Sequence, residues 1–143
     1  LEYRINEYST SEDVHFWVGT FNLNGRGDGT KENLAAWLCP ELNALQQHPE
    51  IVAVGFQEIV ELSPQQIMST DPIRRQAWEQ AILQTLNENA RKQAEYVLVR
   101  SGQLVGTALI IFVKYSALKS IKNVECSVKK VPPVECSRYT KCS

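Results

Sequence analysis

Apolar positions in this chain form several short uninterrupted runs and one long stripe, with polar residues gathered at their ends. His15 to Asn22 (HFWVGTFN) is rich in aromatic and β-branched residues and predicts strand one. Gly25-Arg26-Gly27-Asp28-Gly29 predicts a flexible loop. Thr30 is placed to cap a short helix, Lys31 to Leu38, with Leu34, Trp37 and Leu38 on one face. Pro40 ends it. After His48-Pro49, Ile51 to Gln57 (IVAVGFQ) is apolar almost throughout, as in a strand covered on both faces.

Ser63-Pro64 is a helix-start signature, a capping hydroxyl followed by a residue that lacks an amide donor, and Asp71-Pro72 repeats it. Pro72 to about Gln93 carries the longest helical pattern. Trp78, Ala81, Ile82, Thr85, Leu86 and Asn89 make its stripe, and Arg74, Arg75, Glu79, Glu88, Arg91 and Lys92 its solvated face. Tyr96 to Arg100 predicts strand three, Val105 to Lys114 strand four, and the alternating Ile121 to Lys129 strand five. Strand, helix, strand, helices and three more strands imply a layered α/β or α+β fold with a mostly buried sheet.

The 143 residues suffice for one domain with a core, and 43% apolar with 22% charged residues fits a folded globular chain. A net charge of −1 gives no basic field for nucleic acid, so no nucleic-acid partner is expected. Leu104 to Val113, the longest apolar stretch, has about half the length of a membrane-spanning helix. Leu1 to Glu12 lacks the apolar centre of a signal peptide, and the expected location is cytoplasmic. The four cysteines, Cys39, Cys126, Cys136 and Cys142, contain no C-x-x-C pair, and neither His15 nor His48 completes a zinc pattern. Reduced thiols are the reading set against a metal or disulfide site.

Two apolar runs end abruptly in carboxamides and a carboxylate: Val18-Gly19-Thr20-Phe21-Asn22-Leu23-Asn24-Gly25 and Val54-Gly55-Phe56-Gln57-Glu58-Ile59-Val60-Glu61-Leu62. Asn22, Asn24 and Glu58 then offer hard oxygen ligands at strand ends, which suits Mg²⁺ and phosphate chemistry. If strand one persists, Asn22 and Asn24 share a face. By alternation, Gln57 points away from a site that Glu58 faces. The plainer alternatives are that Asn-x-Asn-Gly marks a turn and that Gln-Glu is solvent-facing punctuation.

Read together, Gly-Thr-Phe-Asn-Leu-Asn-Gly and Gly-Phe-Gln-Glu-Ile-Val-Glu-Leu resemble the inositol polyphosphate 5-phosphatases, in particular their synaptojanin-like branch. Further segments agree in order: Trp37-Leu38, Ser63 to Met68, Trp78-Glu79, Tyr96 to Arg100, Gln103 to Gly106 and Ser127 to Lys130. The resemblance covers roughly residues 14–130, between a polar lead-in (1–13) and a divergent tail (131–143) expected to be irregular. It implies the endonuclease/exonuclease/phosphatase superfamily fold, a β-sandwich flanked by helices. It also implies Mg²⁺-dependent removal of the 5-phosphate from phosphoinositide lipid headgroups or soluble inositol phosphates, with peripheral membrane contact through the substrate. Carried over by motif, Glu58 is the metal-binding carboxylate, Asn22 an active-site amide and metal ligand, Asn24 a second active-site amide, and Gln103 a supporting substrate-side residue. Lys129 and Lys130 stand next to the family's substrate loop.

After Val131 the resemblance fails. The family's glycine-rich loop and its later Asp-Arg and Ser-Asp-His segments have no counterpart, and His15 and His48 are not placed to substitute for them. The expected fold is therefore an incomplete sandwich with an apolar sheet face and unpaired edges, Val105 to Val113 being the most exposed to misassociation. These 143 residues alone are expected to turn over little or no substrate. The competing expectations are a superfamily nuclease and a non-catalytic phosphate-binding or regulatory fragment.

Overall fold

The computed structural model describes residues 9–39, 48–61, 63–90 and 94–128. Nine-residue β3 (Tyr96–Leu104) and β4 (Thr107–Lys114) form a hairpin, and β1 (Phe16–Asn22) and β2 (Ile51–Gln57) complete a mixed sheet of order β1-β2-β4-β3. β1 and β2 are parallel with Asn22 opposite Gln57, whereas β4 runs antiparallel to both β2 and β3. The crossover from β1 to β2 contains a 3-10 turn at Asp28–Lys31 and α1 (Ala35–Leu38), in place of the single helix expected over Lys31 to Leu38. The break falls at Glu32, whose φ/ψ of −78/161° is extended.

One sheet face is covered. α2 (Pro64–Met68) starts with the Ser63 hydroxyl accepting the Gln66 N–H and Pro64 in its first turn. At the start of α3 (Ile73–Asn89), the Asp71 carboxylate accepts the Ile73 N–H. Four-residue spacing brings Trp78, Ile82, Leu86 and Ala90 onto Val52, Val54 and Phe56 of β2 and Ile110 and Phe112 of β4, all buried. Aromatic rings extend this core sideways. Trp17 meets Trp37 edge-on at 5.4 Å, and Phe56 stacks obliquely on Trp78 at 4.8 Å. The Trp17 indole lies across Gly19, where a Cβ would approach it to 2.1 Å, so only glycine admits that ring.

The other face is largely bare. Phe16 is 62% exposed and Val18 74% on β1, and Leu109 is 48% exposed on β4, so no described element covers that face there. At the β3 side, Cys126 passes over Gly102, its Sγ 3.0 Å from where a Cβ would stand. β1 and β3 are the sheet's outer strands among the described residues.

Strand five does not form. Residues 121–128 adopt no regular element, and all but Ile121 are exposed; Lys129 lies outside the described residues. Alternation makes a strand only where a ladder is available, and β4, from which this segment departs through α4 (Tyr115–Leu118), is already paired on both sides. Strand three is longer than expected because the hairpin turn is only Val105-Gly106. That turn hides inside an apolar run, with Val105 at φ +52°. A bulge between Leu98 and Arg100 shifts the register, so Ser101 and Gln103 continue on the helix-covered side begun by Tyr96 and Leu98.

The end of the sheet remote from Asn22 is fastened by one carboxylate. Glu50 accepts the His15 N–H at 2.7 Å, lies 3.2 Å from the His15 ring and 3.6 Å from Lys114 Nζ. Lys114 also donates to His48 O (2.8 Å), and the Tyr96 hydroxyl to Pro49 O (2.6 Å). Both histidines therefore serve the base of the sheet. The 131–143 tail, with Cys136 and Cys142, lies outside the described residues, as do most of the 1–13 lead-in, Arg91, Lys92 and Lys130. No described helix is long and apolar enough to cross a membrane.

Candidate active site

Parallel pairing in register sets the C-terminal ends of β1 and β2 side by side, so two chain segments leave the sheet together. Each places polar side chains outward and an apolar anchor inward: Asn22 and Asn24 flank buried Leu23, and Gln57-Glu58 precede buried Ile59-Val60. Backbone pairing continues past the strands, with Leu23 N–H donating to Gln57 O and Gly25 N–H to Glu58 O, both at 2.8 Å. The hairpin tip joins from a third side, where Ile59 N–H donates to Gly106 O at 2.9 Å.

Asn22 and Glu58 meet. The Asn22 amide group donates to Glu58 Oε1 at 2.9 Å, while its own Oδ1 accepts the Asn24 N–H at 2.9 Å. These two partners dictate which end of the carboxamide is oxygen. Among the described residues the second Glu58 oxygen has no hydrogen-bond partner. Glu58 is half-buried and sits at φ +50°, a left-handed conformation that costs a non-glycine residue of order 1–3 kcal/mol. That twist turns its carboxylate back toward Asn22, against simple strand alternation.

Asn24 does not share a strand face with Asn22, because β1 ends at Asn22. With Asn24 at φ +49°, Gly25 at φ +68° and Arg26 N–H donating to Leu23 O, residues 23–26 form a type I′ turn, for which Asn-Gly is the preferred pair. The carboxamide of Asn24 projects from that turn and is exposed.

Gln57, expected to face away, lies on the same open face as Asn22, and its amide donates to Thr20 Oγ1 at 2.7 Å. Thr20 and Gln57 are thus neighbours of the pair that sequence reading passed over. The spacing of Thr20 two residues before Asn22 is the signal that identifies it. Gln103 is not brought to Asn22 and Glu58. It pairs with buried Ala108 on the helix-covered side, and its amide donates to Val105 O at 2.9 Å, bracing the hairpin turn. Arg74, read as solvated, folds inward: its guanidinium donates to Gly25 O and reaches Ile59 O at 3.5 Å. Arg75 likewise turns in, to Glu79 at 2.6 Å and to Ser101.

A carboxylate oxygen beside a carboxamide is a hard donor set suited to Mg²⁺ or Ca²⁺. The described residues contain no cluster of three or more His, Cys, Asp or Glu able to hold a metal. Cys39 and Cys126 are free thiols apart from this site, and burial pushes the Cys39 thiol up.

Residues 19–133 match the model of Endonuclease/Exonuclease/phosphatase family 2. The chain is 50% identical over 130 residues to Inositol-1,4,5-trisphosphate 5-phosphatase 1 of Schizosaccharomyces pombe, covering 91% of this chain and 12% of that protein. It is 30% identical over 138 residues to human Synaptojanin-1, covering 87% of this chain and 8% of that protein. Its fold superposes with a TM-score of 0.74, at 47% identity, on the inositol polyphosphate 5-phosphatase domain of SPsynaptojanin, solved with inositol (1,4)-bisphosphate and a calcium ion. That match covers 90% of this chain and 35% of the solved one, so the chain spans about a third of the domain it resembles.

Proposed function

The chain belongs to Endonuclease/Exonuclease/phosphatase family 2, and from that premise we propose that it is part of a Mg²⁺-dependent inositol polyphosphate 5-phosphatase. Its substrates are the 5-phosphates of phosphoinositide headgroups at a membrane surface or of soluble inositol phosphates. The observation that carries this reading is the Asn22–Glu58 contact at the adjoining ends of two parallel strands. Relatives named as 5-phosphatases, in Schizosaccharomyces pombe and Saccharomyces cerevisiae, and the solved inositol polyphosphate 5-phosphatase domain support it.

In this reading Glu58 offers its unpaired oxygen to the cation, and the Asn22 amide holds the other oxygen and hence the carboxylate plane. Asn22 Oδ1, braced by the Asn24 N–H, would be the cation's second oxygen ligand. A bound Mg²⁺ supplies Lewis-acid polarisation of the phosphoryl oxygens. Asn24, exposed on its turn, donates to phosphate oxygens or to the attacking water. Such fixed donors stabilise charge that grows on the transferring group. The bare face of the sheet, together with the third of a domain that the chain spans, supports little or no turnover by these 143 residues alone.

The test is phosphate release from phosphatidylinositol 4,5-bisphosphate vesicles and from inositol 1,4,5-trisphosphate by the full-length protein, with plasmid DNA as the nuclease comparison. Chelation with EDTA and either Glu58→Ala or Asn22→Ala are expected to lower release by more than about a hundredfold, the scale on which a lost charge-stabilising group acts. Unchanged rates in those variants, or cleavage of DNA in preference to both inositol substrates, would overturn the reading.

A further inference from the structure

Asn22, Asn24 and Glu58 lie on two separate segments, and something must hold those segments in one register. We propose that Arg74 is the positioning residue that does so, an inference that rests on the reading of Asn22 and Glu58 as the metal and phosphate pair. Arg74 lies in the first turn of α3, and its guanidinium donates to Gly25 O and approaches Ile59 O at 3.5 Å. Gly25 follows Asn24 directly, and Ile59 follows Glu58. One side chain therefore reaches the carbonyl immediately beyond Asn24 on one segment and that immediately beyond Glu58 on the other.

The remainder of the surroundings favours a clamp over an incidental contact. Glu58 is in a left-handed conformation, and its C-terminal neighbour is held on both sides: Ile59 N–H by Gly106 O, and Ile59 O by Arg74. Gly27 packs on the guanidinium, a Cβ there standing 3.6 Å from Arg74 Cζ, so the loop after β1 wraps the same group. The platform is firm, since Trp78, one turn along α3, is 4% exposed and stacks on Phe56 of β2. Both contacts come from one nitrogen, Nη1, whose two N–H bonds are fixed in the rigid guanidinium plane, whereas a lysine ammonium rotates on a flexible stem and is not pre-aimed at either carbonyl. Both acceptors are neutral, so the guanidinium orders the segments without forming an ion pair with Glu58.

Arg74→Met keeps the aliphatic stem and removes the fork; Arg74→Lys keeps the charge. Amide hydrogen exchange is read on the 143-residue chain, and kcat, KM and the Mg²⁺ half-saturation on the full-length protein. Arg74→Met is expected to speed exchange at Gly25 and Ile59 at least tenfold, leaving Val54 and Ile110 unchanged as the check on folding. It is also expected to lower kcat at least tenfold with KM within twofold and a raised Mg²⁺ requirement, with Arg74→Lys falling between. If the methionine variant loses strand protection, the lysine variant carries both measurements, with a partial change in each expected. Unchanged exchange at Gly25 and Ile59 overturns the inference. So does faster exchange with normal kcat, in a protein whose Glu58→Ala variant is inactive. If the wild-type protein turns over no inositol substrate, the functional reading has failed by itself. The clamp is then decided by whether Mg²⁺ shifts the Asn22 side-chain amide resonance in wild type and not in Arg74→Met; equal shifts in both overturn it.

Discussion

Replacing Glu50 by glutamine tests how the base of the sheet is fastened. The substitution keeps the shape and one acceptor oxygen, and it removes the charge that the His15 N–H and Lys114 see at 2.7 and 3.6 Å. A charge-assisted bond to a backbone N–H exceeds a neutral one by about 1 kcal/mol. The Lys114 pair, partly screened by solvent, adds about 0.3–0.5 kcal/mol. The expected loss is therefore about 1–1.5 kcal/mol at pH 7, or about half a molar in the urea midpoint for a slope near 2–3 kcal/mol per molar. The effect has a defined pH dependence. Partial burial acts to raise the Glu50 carboxyl, but the His15 N–H, its own N–H, Lys114 and the His15 ring outweigh it and hold the group below its ordinary value of 4.5. A carboxyl lowered by folding stabilises the native state above the unfolded pKa, and that contribution disappears as pH falls through the lowered native value. Urea denaturation of wild type and Glu50→Gln should thus differ at pH 7 and converge in acid, once pH has fallen through the lowered native value. Equal differences at both pH values would show that the charge is not what Glu50 contributes.

Ile82 is fully buried between α3 and the sheet, so Ile82→Ala should cost about 2–5 kcal/mol in chemical denaturation, and a loss under about 1 kcal/mol would contradict the packing. Tyr96→Phe removes the 2.6 Å bond to Pro49 O and should cost about 1 kcal/mol by the same measurement. Burial first, then the charges of Cys39 and Glu50, push the Tyr96 phenol far above the ordinary tyrosine range. Alkaline absorbance titration of the wild type should therefore show a delayed ionisation step that Tyr96→Phe lacks.

Much of this arrangement is legible in the residues themselves. Ile51 to Gln57 is an apolar run bounded by polar residues, and it forms a strand with those limits. The α3 stripe works because a four-residue repeat of Trp78, Ile82 and Leu86 has one possible face. Asn22 and Glu58 could be paired because each ends an apolar run. What was hidden is hidden for physical reasons. A two-residue turn made of Val105 and Gly106 carries no polar punctuation, so the pattern places it inside strand four and ends strand three at Arg100. Ile121 to Val128 alternates but has no ladder to join. The parity of Gln57 and Glu58 fails because a single left-handed residue resets it. Arg74 has no local signature at all, since its acceptors lie 15 and 49 residues away along the chain.

The bulge beside Val99 also bears on how this chain can change in length. An extra residue there leaves Ser101 and Gln103 on the side of α3 and Gly102 beneath Cys126. Deleting Val99 would restore a regular ladder with every partner kept, Arg100 opposite Ile111 and Ser101 opposite Ile110, whereas deleting a residue between Arg100 and the hairpin tip would turn the residues between the two points to the other face. Single-residue deletions within β3 among descendants of this sequence should therefore fall at the bulge and not between Arg100 and the hairpin tip, a pattern set by strand parity alone.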